Sequence, residues 1–158
     1  MPRSFDASEL LRVAVRDERG GQQLYTALAD LVANEQLRET FRTLAGQEKD
    51  HERRFQGMLD DLGPQPMTGQ YPDEYVDYLE SVAQQGGRDD PHTLAGQIDS
   101  DIEAIELAVR FEREQLALQK DIADILGDRA RDVIDVVLSE ERAHLVQLTG
   151  ARRQLTGG

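Results

Sequence analysis

The chain contains no cysteine and no tryptophan. Without thiols it can form no disulfide, no zinc knuckle and no thiolate-bound iron–sulfur cluster. Aromatic residues make up only 5% of it, and no apolar run approaches the length a membrane-spanning helix needs. The opening "MPRSFDASEL" lacks the apolar segment of a signal peptide, so the cytoplasm is the expected compartment. Positive charge is also scarce. The 18 Lys and Arg face 31 Asp and Glu, for a formal charge of −13. That balance argues against nucleic acid and anionic membranes as partners, and it suits cations.

What remains is helix-forming: Ala, Leu, Glu, Gln, Arg and Asp dominate. The 158 residues are expected to form a single domain with a real core. Asp6, with Glu9 three residues on, reads as the N-cap of a first helix from Ala7 to Ala33. Asn34 caps a second that stops at Leu62, before Gly63-Pro64. Residues 63–98 form a crossover of different texture, in which "DEYVDYLESVAQQ" reads as a short amphipathic helix between the turn-rich "GPQPMTGQYP" and "GGRDDP". A third long helix begins near Asp99 or Ser100 and ends at Leu126. After a turn at Gly127-Asp128, a fourth runs to Arg153, leaving 154–158 as a frayed tail. No bounded apolar alternation of period two occurs, so no strand is expected.

Each long helix carries a stripe with alternating spacings of three and four, the inward face of a bundle helix. The stripes run through Leu11, Glu18, Tyr25 and Leu28; Phe41, Glu48, His51 and Phe55; Ile105, Glu112, Gln119 and Ile122; and Ile134, Glu141, His144 and Leu148. All four are apolar at both ends and ionisable near the middle. One Glu-x-x-His on a charged helix would be unremarkable. Here, however, the chain repeats itself: "AVRDER" at 14–19 returns as "AVRFER" at 108–113, and Glu48-x-x-His51 returns as Glu141-x-x-His144. The two halves, 7–62 and 99–153, are therefore helical hairpins of one design. Each supplies one Glu and one Glu-x-x-His to an inner face.

Four carboxylates and two imidazoles cannot share a dry core unpaired, because buried charge costs several kcal/mol and like charges repel. Two divalent cations would balance the four carboxylates with both imidazoles neutral. A carboxylate and imidazole donor set without thiolate suits iron or manganese, with zinc a frequent substitute. A Glu from each of two helices and a Glu-x-x-His from each of the others is the donor pattern of ferritin-like di-metal bundles.

On these motifs the sequence resembles the ferritin-like di-iron superfamily, and within it the rubrerythrin group. The resemblance implies an all-α four-helix bundle, with one long crossover between helices 2 and 3 that carries a short extra helix. It implies two iron ions bridged by Glu48 and Glu141, with Glu18 and Glu112 as terminal ligands and His51 and His144 on one ion each. Tyr25 resembles the tyrosine these families keep beside the site, and Gln115 and Gln119 are further candidates to line it. A rubredoxin domain needs cysteines, so electrons would come from an external donor protein. Gln115 stands where rubrerythrins carry a further Glu. Lys49 stands where bacterioferritins carry their haem-binding Met, so no haem is expected.

The favoured function is a non-haem di-iron oxidoreductase, a ferroxidase or a rubrerythrin-like peroxidase. It would oxidise Fe²⁺ or an external donor with O₂ or hydrogen peroxide, as a homodimer or higher homo-oligomer. The alternatives are an iron-binding or storage protein without efficient turnover, and a helical scaffold with a structural di-metal site. His92, in "DDPHTL", is expected to be a solvated loop residue.

Overall fold

A computed structural model describes residues 4–68, 71–85 and 89–157. Its frame is four long helices, α1 (Ser8–Leu31), α2 (Glu35–Leu62), α5 (Asp101–Leu126) and α6 (Arg131–Thr156). α1 pairs with α2 and α5 with α6, while α1 also packs on α5 and α2 on α6, closing a square. The crossover carries two short helices, α3 (Asp73–Gln85) and α4 (Pro91–Ala95), and both lie against α1. None of the helices is long and apolar enough among the described residues to cross a membrane.

Local chemistry sets the ends. The Asn34 side chain accepts from the Leu37 N–H at 2.9 Å, as its position at the start of α2 predicts. Ser100 likewise accepts from the Glu103 N–H at 3.1 Å. Gly63 ends α2 with φ of 62°, a conformation that favours glycine. α2 is 28 residues long, hence about 42 Å. The crossover climbs that whole length, because Asp101, at the start of α5, reaches the α1–α2 turn. Its carboxylate accepts from the Ala33 and Asn34 N–H groups, each at 2.9 Å. The fold is therefore an all-α ferritin-like bundle, as expected, with neighbouring helices antiparallel and hairpins joined by one full-length connection.

Several boundaries differ from expectation. Two strands occur, β1 (Ser4–Asp6) and β2 (Pro66–Thr68), paired antiparallel with Phe5 opposite Met67. Three residues are too few to show alternation, and the pairing joins segments about 60 residues apart. Asp6 does not cap α1. Ala7 holds that position without a side-chain bond, and Asp6 Oδ1 instead accepts from Ser8 N at 3.0 Å and Gln65 N at 2.8 Å. The expected tail is helical to Thr156, because Leu155 packs on the core and Gly157 closes the end with φ of 75°. The crossover has a second short helix, because Asp90 caps it by accepting from the Thr93 N–H at 3.0 Å and Pro91 opens it. Exposed His92 therefore lies on a helix rather than in a loop. Gly69 and Gln70 of the first turn-rich stretch and residues 86–88 of the second lie outside the described residues.

The core is split in two. One apolar cluster includes Leu11, Phe55, Met58, Ile122 and Ile134, and the other includes Leu28, Leu37, Phe41, Ile105 and Leu148. Between them along the stripes lie the buried Glu18, Glu48, His51, Glu112, Gln115, Gln119, Glu141 and His144.

Candidate metal centre

The heptad-like stripes place each ionisable side chain where the four helices face one another, so all six predicted donors meet. They are 0–1% exposed. Ligand atoms of Glu18, Glu48, His51 and Glu141 lie within 4.8 Å of one another, and so do those of Glu48, Glu112, Glu141 and His144. Glu48 and Glu141 belong to both groups, the positions a bridge requires. The two imidazole rings stack at 5.7 Å between centroids.

A second ring of side chains holds the donors. Tyr25 Oη donates to Glu112 Oε1 at 2.5 Å, Gln119 Nε2 to Glu18 Oε1 at 2.8 Å, and Gln115 Nε2 to Glu48 Oε2 at 2.9 Å. Tyr25 is fixed in turn by stacking on Phe41 and an edge contact with Phe111. His51 Nδ1 lies 2.7 Å from Glu141 Oε1, while its Nε2 lies 2.6 Å from Glu140 Oε2. His144 presents Nδ1 to Glu112 at 3.1 Å and to Glu48 at 3.4 Å.

Two contributors went unseen in the sequence. Glu140 is off the inner stripe, and only the approach of α2 to α6 brings it to the far side of His51. Gly21 lies one turn after Glu18 on the inward face of α1, where a Cβ would lie 2.9 Å from Glu48 Oε2.

Crowding shifts the titration of Glu18, Glu112, Glu141, Tyr25 and both imidazoles. Burial, reinforced by the charge of Glu48, pushes Glu18 well above the usual carboxylate range. Burial also raises Glu112, and its contact with Glu141 adds to the shift. Glu141 goes the other way: burial opposes its charge, but hydrogen bonds with Glu112, His144 and His51 hold its carboxyl low. Burial also opposes charge on the imidazoles. Glu141 nevertheless raises His51, and bonds to Glu112, Glu141 and Glu48 push His144 up to about 12. Tyr25 is raised by burial and by the Glu112 charge, so it stays a phenol and a donor.

These shifts mark a cluster crowded with like charge, which a bound proton or cation would relieve. One oxygen on each of Glu18, Glu48, Glu112 and Glu141 is buried with no donor among the described residues. A proton or a cation among them would satisfy them. Two divalent ions fit this donor set in number, charge and ligand type.

Comparison with known proteins points the same way. No curated protein matches the chain. Two solved structures share its fold. One is a Thermotoga maritima protein named, provisionally, as a ferritin-like diiron-carboxylate protein, with 22% identity, a TM-score of 0.74 and coverage of 96% of this chain and 97% of that one. The other is a hypothetical protein of Pyrococcus furiosus, with 19% identity, a TM-score of 0.70 and coverage of 97% and 92%. The family model described as Rubrerythrin matches residues 9–151, a span that takes in all six donors. The chain belongs to the Rubrerythrin family.

Proposed function

We infer that the protein is a non-haem di-iron carboxylate oxidoreductase, which oxidises Fe²⁺ or an external donor protein with O₂ or hydrogen peroxide. The observation that carries this reading is the pair of overlapping donor groups sharing Glu48 and Glu141 inside a buried layer. A bound di-iron pair supplies two electrons together. Glu18 and His51 would complete one ion's ligands, and Glu112 and His144 the other's. The apolar clusters on either side keep bulk water from the layer, and Tyr25 holds an O–H proton on Glu112. Gln115 contributes an N–H to Glu48 where rubrerythrins have another carboxylate, so it cannot compensate added metal charge. O₂ is therefore expected to remain a competent oxidant beside peroxide.

The test is anaerobic Fe²⁺ titration followed by stopped-flow mixing with each oxidant. Two Fe²⁺ per chain are expected, with oxidation by both O₂ and peroxide, and Gln115→Glu should raise the ratio of peroxide to O₂ reactivity. A preference for peroxide by orders of magnitude in the wild type would make the protein a peroxidase. Two ions bound with no turnover by either oxidant would leave only iron binding.

A further inference from the structure

The sequence repeat makes the two halves of the centre formally equivalent, yet side chains around the donors break that equivalence. Glu140, just ahead of Glu141, corresponds to Gln47, just ahead of Glu48. Gln119 corresponds likewise to Tyr25. The consequences are visible at both imidazoles. His51 has a carboxylate oxygen of Glu140 2.6 Å from Nε2. His144 Nε2 is buried without a hydrogen-bond partner among the described residues, and so is Oε1 of Gln47.

A carboxylate behind an imidazole N–H fixes the tautomer that leaves the other nitrogen free, and it makes that nitrogen a stronger ligand. Glu140 does this for His51 Nδ1, which faces Glu18 and Glu141. The repeat gives His144 only the neutral amide of Gln47 for the same task. The terminal carboxylates differ in the same direction. Glu112 accepts a phenol O–H at 2.5 Å, whereas Glu18 accepts an amide N–H at 2.8 Å. The shorter bond from the more acidic donor draws more charge from Glu112.

Both asymmetries favour one side. We propose that the centre is a pair of unequal sites, in which the one built on Glu18 and His51 takes its divalent cation first and more tightly, with Glu140 as the positioning residue responsible. The proposal rests on the di-metal reading above. Stepwise filling alone is no evidence for it, because any first ion beside the shared Glu48 and Glu141 repels a second.

The discriminating experiment is anaerobic calorimetric titration of Mn²⁺ into metal-free protein and variants. Glu140→Gln keeps an acceptor but removes the charge, and should weaken the first step about 10- to 100-fold while leaving the second little changed. Gln47→Glu installs the missing carboxylate and should tighten the second step alone. That variant keeps the test available if Glu140→Gln does not fold. His51→Ala should abolish the tight step, whereas His144→Ala should leave it intact. An electron paramagnetic resonance spectrum at one Mn²⁺ per chain should show an isolated ion. Equal weakening of both steps by Glu140→Gln, or a tight step that survives His51→Ala, overturns the inequality but not the di-metal centre. Uptake of no more than one ion by the wild type overturns both.

Discussion

Gly21 matters for what it leaves out. A Cβ added there would also lie 3.2 Å from the Phe111 ring, besides its clash with Glu48. Phe111 is buried, and Glu48 is tethered by Gln115, so neither gives way freely. Alanine would otherwise favour the helix by about 0.5–1 kcal/mol. Gly21→Ala should therefore change the stability of the metal-free protein by no more than about 1 kcal/mol. It should weaken both ions in a metal titration, since it displaces a shared carboxylate. Loss of one ion alone, or none, would show that Glu48 has room to move. The clustering of the six candidate donors was legible in the sequence because the pattern is written twice, with Glu18, Glu48 and His51 repeated as Glu112, Glu141 and His144. Gly21 and Glu140 were not, because their roles depend on which side chain of another helix stands opposite.

Among the elements, the long helices were legible from their stripes and caps, while their junctions depended on contacts distant in sequence. Asp101 falls at a position of the α5 stripe where an apolar residue would be expected, and nothing nearby in the sequence explains it. In the fold it caps the α1–α2 turn from the other hairpin. Asp6 shows the same limit: it carries a cap signature, yet it serves Gln65 across the β1–β2 pair. Asp101→Ala would leave two backbone N–H groups without their carboxylate. It should cost about 1–2 kcal/mol in urea unfolding with helical content unchanged. The partly exposed site lets water recover some of the loss, which is why a larger cost is not expected. No measurable change would mean that the turn holds without the clamp.

For the molecule as a whole, pH and metal should act against each other. Glu18 and Glu112 are raised above 4.5 in the fold, so their contribution is full below that value and is lost as pH rises toward their folded values. His144, raised from 6.5 to about 12, contributes a loss in the same direction above 6.5. Glu141 is lowered, so its contribution is present above 4.5 and fades only as pH falls. The chelated protein should therefore melt at lower temperature at about pH 8 than at about pH 5. Cations require deprotonated ligands, so Mn²⁺ should stabilise more at the higher pH. At a hundred times its Kd an ion adds about 2.7 kcal/mol per site. Combining Glu18→Gln with Glu112→Gln should flatten the chelated profile. A chelated wild type whose melting ignores pH would contradict the raised carboxyls of Glu18 and Glu112.

Neither hairpin owns a complete group of candidate donors. Glu141 reaches across to the group of Glu18, Glu48 and His51, and Glu48 reaches across to the group of Glu112, Glu141 and His144. Filled, the centre would act as a rivet through the waist of the bundle, because the hairpins could not slide or separate without breaking bonds at both ions. Empty, the seam between the hairpins is held by its two greasy ends and, at mid-height, by hydrogen bonds such as those of Tyr25 to Glu112, Gln119 to Glu18 and Gln115 to Glu48. Loading would add coordinate bonds to those hydrogen bonds and so raise the shear resistance of the middle, although both hairpins keep their shape.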